Sequence, residues 1–148
     1  MSLDENRELV RRFNEEVWGK GRVDLVDELF APDYVDHYTP PGLPAGEAGG
    51  PTGRDGIRYD VERVRAAFPD LQITTDDIIC EGDRAALRWS GRGIYRGGMP
   101  GITAHGAEVT MSGMHFYRIL DGRIAERWEE FDRLGLMRQL GMPPADGS

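Results

Sequence analysis

The fold of this chain is decided by residues 121–132, DGRIAERWEEFD. An Asp-Gly pair opens the stretch, and a segment rich in carboxylates and aromatic residues follows it. Asp-Gly between two extended segments is a strong signal for a tight β-hairpin. The turn joins a predicted strand over residues 109–120 to a predicted strand over residues 123–131. His115 in the first strand therefore lies beside the acidic second strand. An imidazole next to carboxylates in an apolar setting is typical of an acid–base site.

Alternation along the first strand of this hairpin predicts where His115 points. Every second side chain of a strand lies on the same face. One face is apolar around the histidine: Val109, Met111, Gly113, His115, Tyr117 and Ile119. His115 is therefore predicted to point inward. A buried histidine that only forms a structural hydrogen bond would give the same pattern.

The second strand of the hairpin does not reveal which of its faces is buried. Ile124 and Trp128 favour one face, whereas Arg127 and Glu129 on the other face could line a polar cavity. An exposed strand with ion pairs would have the same sequence. If Glu129 lies in an apolar pocket, we expect burial to raise the pKa of its carboxyl toward the range useful for proton transfer at neutral pH.

Three helices are predicted before the strands, each with apolar residues at helical spacing on one face. These residues are Leu9, Val10, Phe13 and Val17 in the first helix, Val23, Leu25, Val26 and Leu29 in the second, and Ile57, Val61, Val64 and Phe68 in the third. Asp60 follows Ile57 by three positions, so it is predicted on or beside the inward stripe of the third helix. The Pro/Gly-rich residues 39–53 form a loop whose length is more typical of a lid or a pocket mouth than of a linker.

Four strands follow the helices, over residues 71–80, 85–95, 109–120 and 123–131, and a short helical turn comes last. Trp89 falls on the apolar face of the second strand. Helices first and strands afterwards indicate an α+β fold, with three helices packed on one face of an antiparallel four-strand sheet. A chain of 148 residues is expected to form one domain, over residues 1–148.

Composition limits the classes of partner. The net charge of −8 argues against nucleic acid, whose binding depends on clustered Lys and Arg, and it disfavours anionic membranes. No apolar run approaches the ~20 residues that cross a bilayer, and the first residues lack the pattern of a signal peptide. The single cysteine, Cys80, fits a buried thiol in a reducing cytoplasm. A neutral organic ligand suits this composition best.

The other histidines give weaker signals. His37 lies beside the loop of residues 39–53 and is a candidate for the mouth of a pocket, whereas His105 is predicted to be exposed in a Gly-rich stretch. The three histidines show none of the spacings of a metal site, so no metal ion is expected. Nucleophilic hydrolysis has little support, because the chain has no Gly-x-Ser-x-Gly motif.

The order of several short motifs resembles the polyketide-cyclase-like (SnoaL-like) branch of the nuclear-transport-factor-2-like (NTF2-like) superfamily. The resemblance covers nearly the whole chain. It is carried by ENRELVRRF at 5–13 with EVW at 16–18, LFAPDYVDH at 29–37, RAAFPD at 65–70, GD at 82–83, YRI at 117–119 with DGRI at 121–124, and Trp128 with GLMRQLG at 135–141. Each motif is only moderately specific, and the resemblance rests mainly on their shared order.

This resemblance implies a cone-shaped α+β barrel, in which a curved sheet and its helices enclose an apolar pocket, and frequent dimerisation through the outer side of the sheet. SnoaL-like cyclases close a ring by intramolecular aldol condensation without metal or cofactor. An acid on the last strand shuttles protons, and a histidine on the preceding strand assists. Counted from the Asp-Gly turn, these positions hold Glu129, where the cyclases have Asp, and His115. Asp60 falls where the cyclases place a polar residue that contacts substrate, and Trp18 where they place an aromatic one.

The leading hypothesis is therefore a cofactor-independent, cyclase-like enzyme that abstracts a proton beside a carbonyl group of a hydrophobic, polyketide-type compound. Glu129 is predicted to act as the base and then as the acid that protonates the new alkoxide, while His115 hydrogen-bonds the developing oxyanion. The other predicted site residues contact the substrate: Trp18, His37, Asp60, Trp89, Met111, Tyr117, Arg127 and Trp128. We expect a cytoplasmic homodimer with no nucleic-acid or membrane partner.

Two other functions remain open on the sequence alone. Asp60 and Glu129 could activate water for hydrolysis, as in the epoxide-hydrolase relatives of the superfamily, or support an isomerisation. Alternatively, the pocket could bind a small apolar ligand without catalysis. Arg127 lies two residues before Glu129 on the same strand face, and an ion pair between them would lower the pKa of the carboxyl and favour this binding role.

Overall fold

The computed structural model describes residues 2–37, 51–99, 101–103 and 106–141. Most of the predicted loop at residues 39–53 lies outside these ranges, as does His105. The helices lie where the apolar stripes predict them. Their bounds are Leu3–Arg12 (α1), Val26–Leu29 (α2), Gly53–Ala67 (α3) and Arg133–Gln139 (α4), with a π-helical turn over Phe13–Trp18 and a 3₁₀ turn over Val23–Leu25. None of the helices in the described ranges is long and apolar enough to cross a membrane.

The strands form one sheet in the order β1-β5-β4-β3-β2. Their bounds are Phe30–Asp36 (β1), Gln72–Glu81 (β2), Arg84–Ile94 (β3), Glu108–Leu120 (β4) and Arg123–Phe131 (β5). Strands β2 to β5 are the predicted antiparallel meander. The structure adds a fifth strand, β1, which pairs in parallel with β5. Because β1 is an edge strand, it tolerates Pro32, which cannot donate to a ladder.

The apolar faces of the helices pack on the inner face of this sheet. The stripe of α1 and the π-helical turn is buried there, with Val10, Phe13 and Val17 fully inaccessible to solvent. On β3, Trp89 packs closely against the backbone of Gly113 in β4. A Cβ atom added to Gly113 would lie only 2.9 Å from the indole nitrogen of Trp89. Burial of these apolar surfaces stabilises the fold and leaves a cavity between sheet and helices.

The register of the β4–β5 hairpin decides which acidic residues face inward. His115 lies directly opposite Glu129, and Tyr117 lies opposite Arg127. The register shifts between Arg118 and Ile119, so β5 carries one extra residue, Ala125, in a β-bulge. A bulge reverses the alternation along its strand.

The bulge explains why the face of β5 could not be read from alternation. Ile124, before the bulge, and Arg127, after it, both point inward and are fully buried. Trp128 then falls on the outer face, although it is aromatic. The sequence pattern mixes the two faces because its phase changes in the middle of the strand.

Candidate active site

A cavity of about 1500 Å³ opens between the inner face of the sheet, the π-helical turn after α1, and α3. Its wall is mostly apolar. It includes the following predicted site residues: Trp18, Asp60, Trp89, Met111, His115 and Glu129. Pockets for drug-sized ligands measure ~300–1,000 Å³, so this cavity has room for a substrate with more than one ring.

Glu129 and His115 form a buried pair on the sheet wall of the cavity. The imidazole Nε2 of His115 is hydrogen-bonded to the Oε2 atom of Glu129. Only 2% of the His115 side chain and 8% of the Glu129 side chain are exposed. Their contact follows from the register, because residues directly opposite on antiparallel strands have Cβ atoms ~4.5–5.5 Å apart.

Tyr117 fixes the other ring nitrogen of His115. Its hydroxyl lies within hydrogen-bonding distance of Nδ1, and Tyr117 is fully buried behind the cavity wall. Burial raises the pKa of Tyr117, so the hydroxyl stays protonated. It donates a hydrogen bond to Nδ1. The His115 proton is therefore assigned to Nε2, which donates to the Glu129 carboxylate.

Arg127 is a fully buried cation held between two carboxylates. Its Nη2 and Nε atoms donate to Oδ2 of Asp36 at 2.8 and 3.2 Å, and Nη1 lies 3.5 Å from Oε2 of Glu129. The hydroxyl of Tyr34 donates to the same Asp36 oxygen at 2.9 Å. The guanidinium carbon lies 5.5 Å from the centre of the Phe13 ring. A buried charge is stable only when it is paired and hydrogen-bonded, and here Asp36 and Glu129 meet that need.

These neighbours keep Glu129 ionised at neutral pH. Burial by itself raises the pKa of the Glu129 carboxyl, but His115 and Arg127 beside it outweigh burial, so its pKa lies below the usual value. Burial lowers the pKa of His115 by more than nearby Glu129 raises it, so the imidazole is neutral. The expectation that a pocket would raise the pKa of Glu129 is therefore reversed by His115 and Arg127 together.

Asp60 lies on the helix wall of the same cavity. It projects from α3 with 19% of its side chain exposed, and the nearest atom of its ion-pair partner Arg63 is 4.0 Å away. Burial raises the pKa of Asp60, more than Arg63 and Arg127 lower it, while Asp36 and Glu129 add to the increase. The cavity thus carries two carboxyl groups whose surroundings shift their pKa values in opposite directions.

Comparison with known proteins places the chain in a family. Residues 8–140 match the family model of the SnoaL-like polyketide cyclases. The chain belongs to the SnoaL-like polyketide cyclase family. No curated protein matches the chain significantly.

Solved structures share the fold of this SnoaL-like chain over nearly its whole length. TsrD from Streptomyces laurentii is 29% identical with a TM-score of 0.82, and the match covers 97% of this chain and 99% of TsrD. IdmH from Streptomyces antibioticus, a proposed polyketide cyclase, is 32% identical with a TM-score of 0.75, covering 92% and 98%. AclR from Streptomyces galilaeus, a proposed hydroxylase, is 25% identical with a TM-score of 0.78, covering 97% and 89%. Proteins with this fold thus carry different proposed reactions, and the fold alone does not give the reaction.

Four predicted contact residues of this SnoaL-like protein lie off the cavity wall. Arg127 and Tyr117 are buried directly behind it, where they contact Glu129 and His115. His37 and Trp128 lie on the outer face of the sheet instead, with their rings stacked 4.6 Å apart, and His37 Nε2 is 2.8 Å from a carboxylate oxygen of Glu126. The outward position of Trp128 follows from the phase of β5 after the bulge, and His37, which follows β1, stacks on it there.

Sequence reasoning missed two polar residues of the site. Asn14 is 1% exposed, lines the cavity, and donates its amide to the Thr75 hydroxyl at 2.9 Å. It reaches the wall because α1 widens into the π-helical turn, a feature that often marks functional sites and that apolar spacing does not reveal. Asp36 was quoted only as part of a motif, and its role depends on the parallel pairing of Asp36 with Arg127.

The described ranges contain no cluster of metal-ligating side chains. No three His, Cys, Asp or Glu side chains among those residues are grouped in a way that could hold a metal ion. His37 and His115 lie on opposite faces of the sheet, and each is paired with a single glutamate.

We expect the free energy of unfolding of this SnoaL-like protein to fall as the pH decreases. The folded pKa of His115 lies below its unfolded value of ~6.5, so its contribution to stability is present above that pH and is lost as the pH falls below it. Glu129 adds a second loss below its unfolded value of ~4.3, because its folded pKa is also lowered. Urea unfolding between about pH 7 and pH 5, compared with His115→Gln, isolates the contribution of His115. A wild-type slope equal to that of the variant contradicts the neutral, buried imidazole.

Proposed function

We propose that this chain is a polyketide-cyclase-type enzyme that closes a ring by removing a proton next to a carbonyl group. The observation that carries the proposal is a buried, ionised Glu129 on the wall of a large, mostly apolar cavity. The carboxylate is hydrogen-bonded to His115 and is paired with Arg127, which together hold it in one place. A positioned carboxylate that already lacks its proton is a ready general base.

The lowered pKa of Glu129 restricts the substrate. A carboxylate that is a weaker base than usual can remove a proton only from an acidic carbon, such as the carbon between the two carbonyl groups of a β-keto ester. The enolate formed there attacks a second carbonyl group of the same molecule, and a carbon–carbon bond closes the ring. A cavity of about 1500 Å³ gives such a folded chain the space it needs.

His115 acts on Glu129 in this proposal and not on the substrate oxygen. Both of its ring nitrogens are already engaged, by Glu129 and by Tyr117. A hydrogen-bond donor for the substrate oxygens therefore has to come from another residue of the cavity wall. The indole N–H groups of Trp18 and Trp89 have no hydrogen-bond partner within the described residues, but both nitrogens are closed off from the cavity, so they are not assigned to the substrate.

One observation favours a second candidate, a pocket protein that binds an apolar ligand without catalysis. That interpretation predicts an ion pair between Glu129 and Arg127 and a lowered pKa of the carboxyl, and both are present. Both candidates therefore need an ionised Glu129. They differ in turnover, because only the enzyme converts a ligand.

The test uses a methyl β-keto ester that carries a second ketone placed to close a six-membered ring. Aldol ring closure leaves the mass of the compound unchanged, whereas hydrolysis of the methyl ester consumes water and releases methanol, which leaves a lighter acid, so mass spectrometry separates cyclase from hydrolase. We expect a product of unchanged mass that chromatography resolves from the open chain. Binding without conversion of any keto ester in a homologous series contradicts the cyclase and supports the binding protein.

A further inference from the structure

Asp60 differs from the other carboxyl groups of the cavity wall in the described part of the chain. The exposed ones are Asp27, Asp33 and Asp55, and Asp36 is committed to Arg127. Asp60 is half-buried, and its single ion pair, with Arg63, is at the limit of contact at 4.0 Å. No described residue donates a hydrogen bond to it. A carboxyl in this setting is free to interact with a molecule in the cavity.

The charges around Asp60 favour a proton on its carboxyl. Burial is the largest influence and disfavours the carboxylate, while Asp36 and Glu129 add negative charge. Arg63 and Arg127 oppose them, but Arg127 is already shared by two other carboxylates. Glu129 lies in the opposite situation, because Arg127 and His115 contact it directly. When the surroundings of two titratable groups in one site shift their pKa values in opposite directions, one group usually acts as the acid and the other as the base.

We propose that Asp60 is the general acid of the ring closure and that Glu129 serves only as the base. This inference rests on the proposed cyclase function and extends it. Asp60 is placed for the role on α3, across from the sheet that carries Glu129, on the wall of the same cavity. The sequence-based hypothesis assigns both proton transfers to Glu129, whereas this proposal divides them between two walls of the cavity.

The proton balance of this division is simple. The bond between the acidic carbon and its hydrogen breaks, and the proton moves to Glu129. The enolate carbon bonds to the second carbonyl carbon, whose oxygen becomes an alkoxide. Asp60 gives its proton to this alkoxide and becomes a carboxylate. Water then removes the proton from Glu129 and returns one to Asp60, so no oxidant, reductant or further reactant is needed.

The experiment follows two steps of the same reaction with the keto ester that carries a second ketone. In D₂O, proton NMR measures exchange at the acidic carbon, which reports the base, and chromatography measures ring closure, which needs both groups. For Asp60→Asn we expect exchange within about threefold of wild type and ring closure lower by about 10²-fold or more. Glu129→Gln is expected to lose both. Asp60→Glu, which keeps the carboxyl, is expected to recover part of the ring closure.

Glu62→Gln is the matched control, because Glu62 lies on the same helix and is exposed; it is expected to leave both rates unchanged. The Asp60→Asn protein is expected to fold, because burial penalises the charged form of Asp60 and the amide is neutral. Circular dichroism checks the fold. Ring closure by Asp60→Asn at the wild-type rate overturns the acid role and leaves the cyclase intact. Loss of exchange together with ring closure in Asp60→Asn also overturns it. A wild-type protein that catalyses neither step overturns the proposed function itself.

Discussion

Replacing Glu129 by Gln is expected to lower the rate of ring closure by about 10²–10⁴-fold, the usual contribution of a positioned general base. The amide has the size of the carboxyl and can still accept the hydrogen bond from His115 Nε2, so the pocket keeps its shape. It has no basic oxygen that could take a proton from carbon. The rate is measured under single-turnover conditions with the keto ester that carries a second ketone, because single turnovers separate chemistry from product release.

Glu130→Gln is the control for this variant. Glu130 is the next residue of β5, but it lies on the outer face and is exposed, so its charge does not reach the cavity. We expect Glu130→Gln to close the ring at the wild-type rate. If Glu129→Gln cyclises within about threefold of wild type, Glu129 is not the base and the proposed mechanism is contradicted.

Replacing Arg127 by Met is expected to lower the free energy of unfolding by about 3–5 kcal/mol, the cost of removing one partner from a buried ion pair. Methionine fills part of the volume but leaves Asp36 and Glu129 without their shared cation. Two carboxylates then face each other in a site where Arg127 was fully buried. The same change is expected to raise the pKa of Glu129, because burial is no longer opposed by a positive charge. Urea unfolding near neutral pH measures the loss of stability.

Arg11→Met provides the comparison for a surface arginine. Arg11 pairs with Glu8 and Glu15 on α1, but 38% of its side chain is exposed, and ion pairs of this kind contribute about 0–1 kcal/mol. We therefore expect only a small loss of stability in this variant. An Arg127→Met protein as stable as Arg11→Met contradicts the view that Arg127 neutralises buried carboxylates.

The hairpin and its histidine were predictable because local rules govern them. The Asp-Gly turn sets the pairing of β4 with β5, and β4 alternates without interruption through His115, so its inner face could be read directly. Helices with regular apolar stripes were predictable for the same reason. In each case the pattern that decides the structure lies within one element of the chain.

The rest of the site depends on features that periodicity does not contain. The bulge at Ala125 reverses the phase of β5, so the burial of Arg127 and Glu129 and the outward position of Trp128 could not be derived from alternation. The pairing of β1 with β5, which brings Asp36 to Arg127, joins segments about ninety residues apart. The π-helical turn that carries Asn14 to the wall follows the same apolar spacing as an ordinary helix. Each of these is set by tertiary contacts and not by local propensity.

The direction of the pKa shift of Glu129 is another result that required the structure. Burial of a carboxyl predicts a raised pKa, and the neighbours that reverse the sign are His115 on the adjacent strand and Arg127 two residues away on the same strand. Whether Arg127 and Glu129 together face the cavity or the solvent depends on the bulge. In the proposed mechanism, a weakly basic carboxylate requires a substrate whose acidic carbon is flanked by two carbonyl groups, so the proposed substrate depends on the phase of one strand.

The ionisation state of Glu129 is the most direct test of this account. Carbon NMR titration of the Glu129 carboxyl, assigned by comparison with Glu129→Gln, measures it without any substrate. We predict a pKa below the ~4.3 of a free glutamate, because His115 and Arg127 both stabilise the carboxylate. A pKa raised above that value would mean that the carboxyl is protonated more readily than in water, and it would contradict an ionised base held by His115 and Arg127.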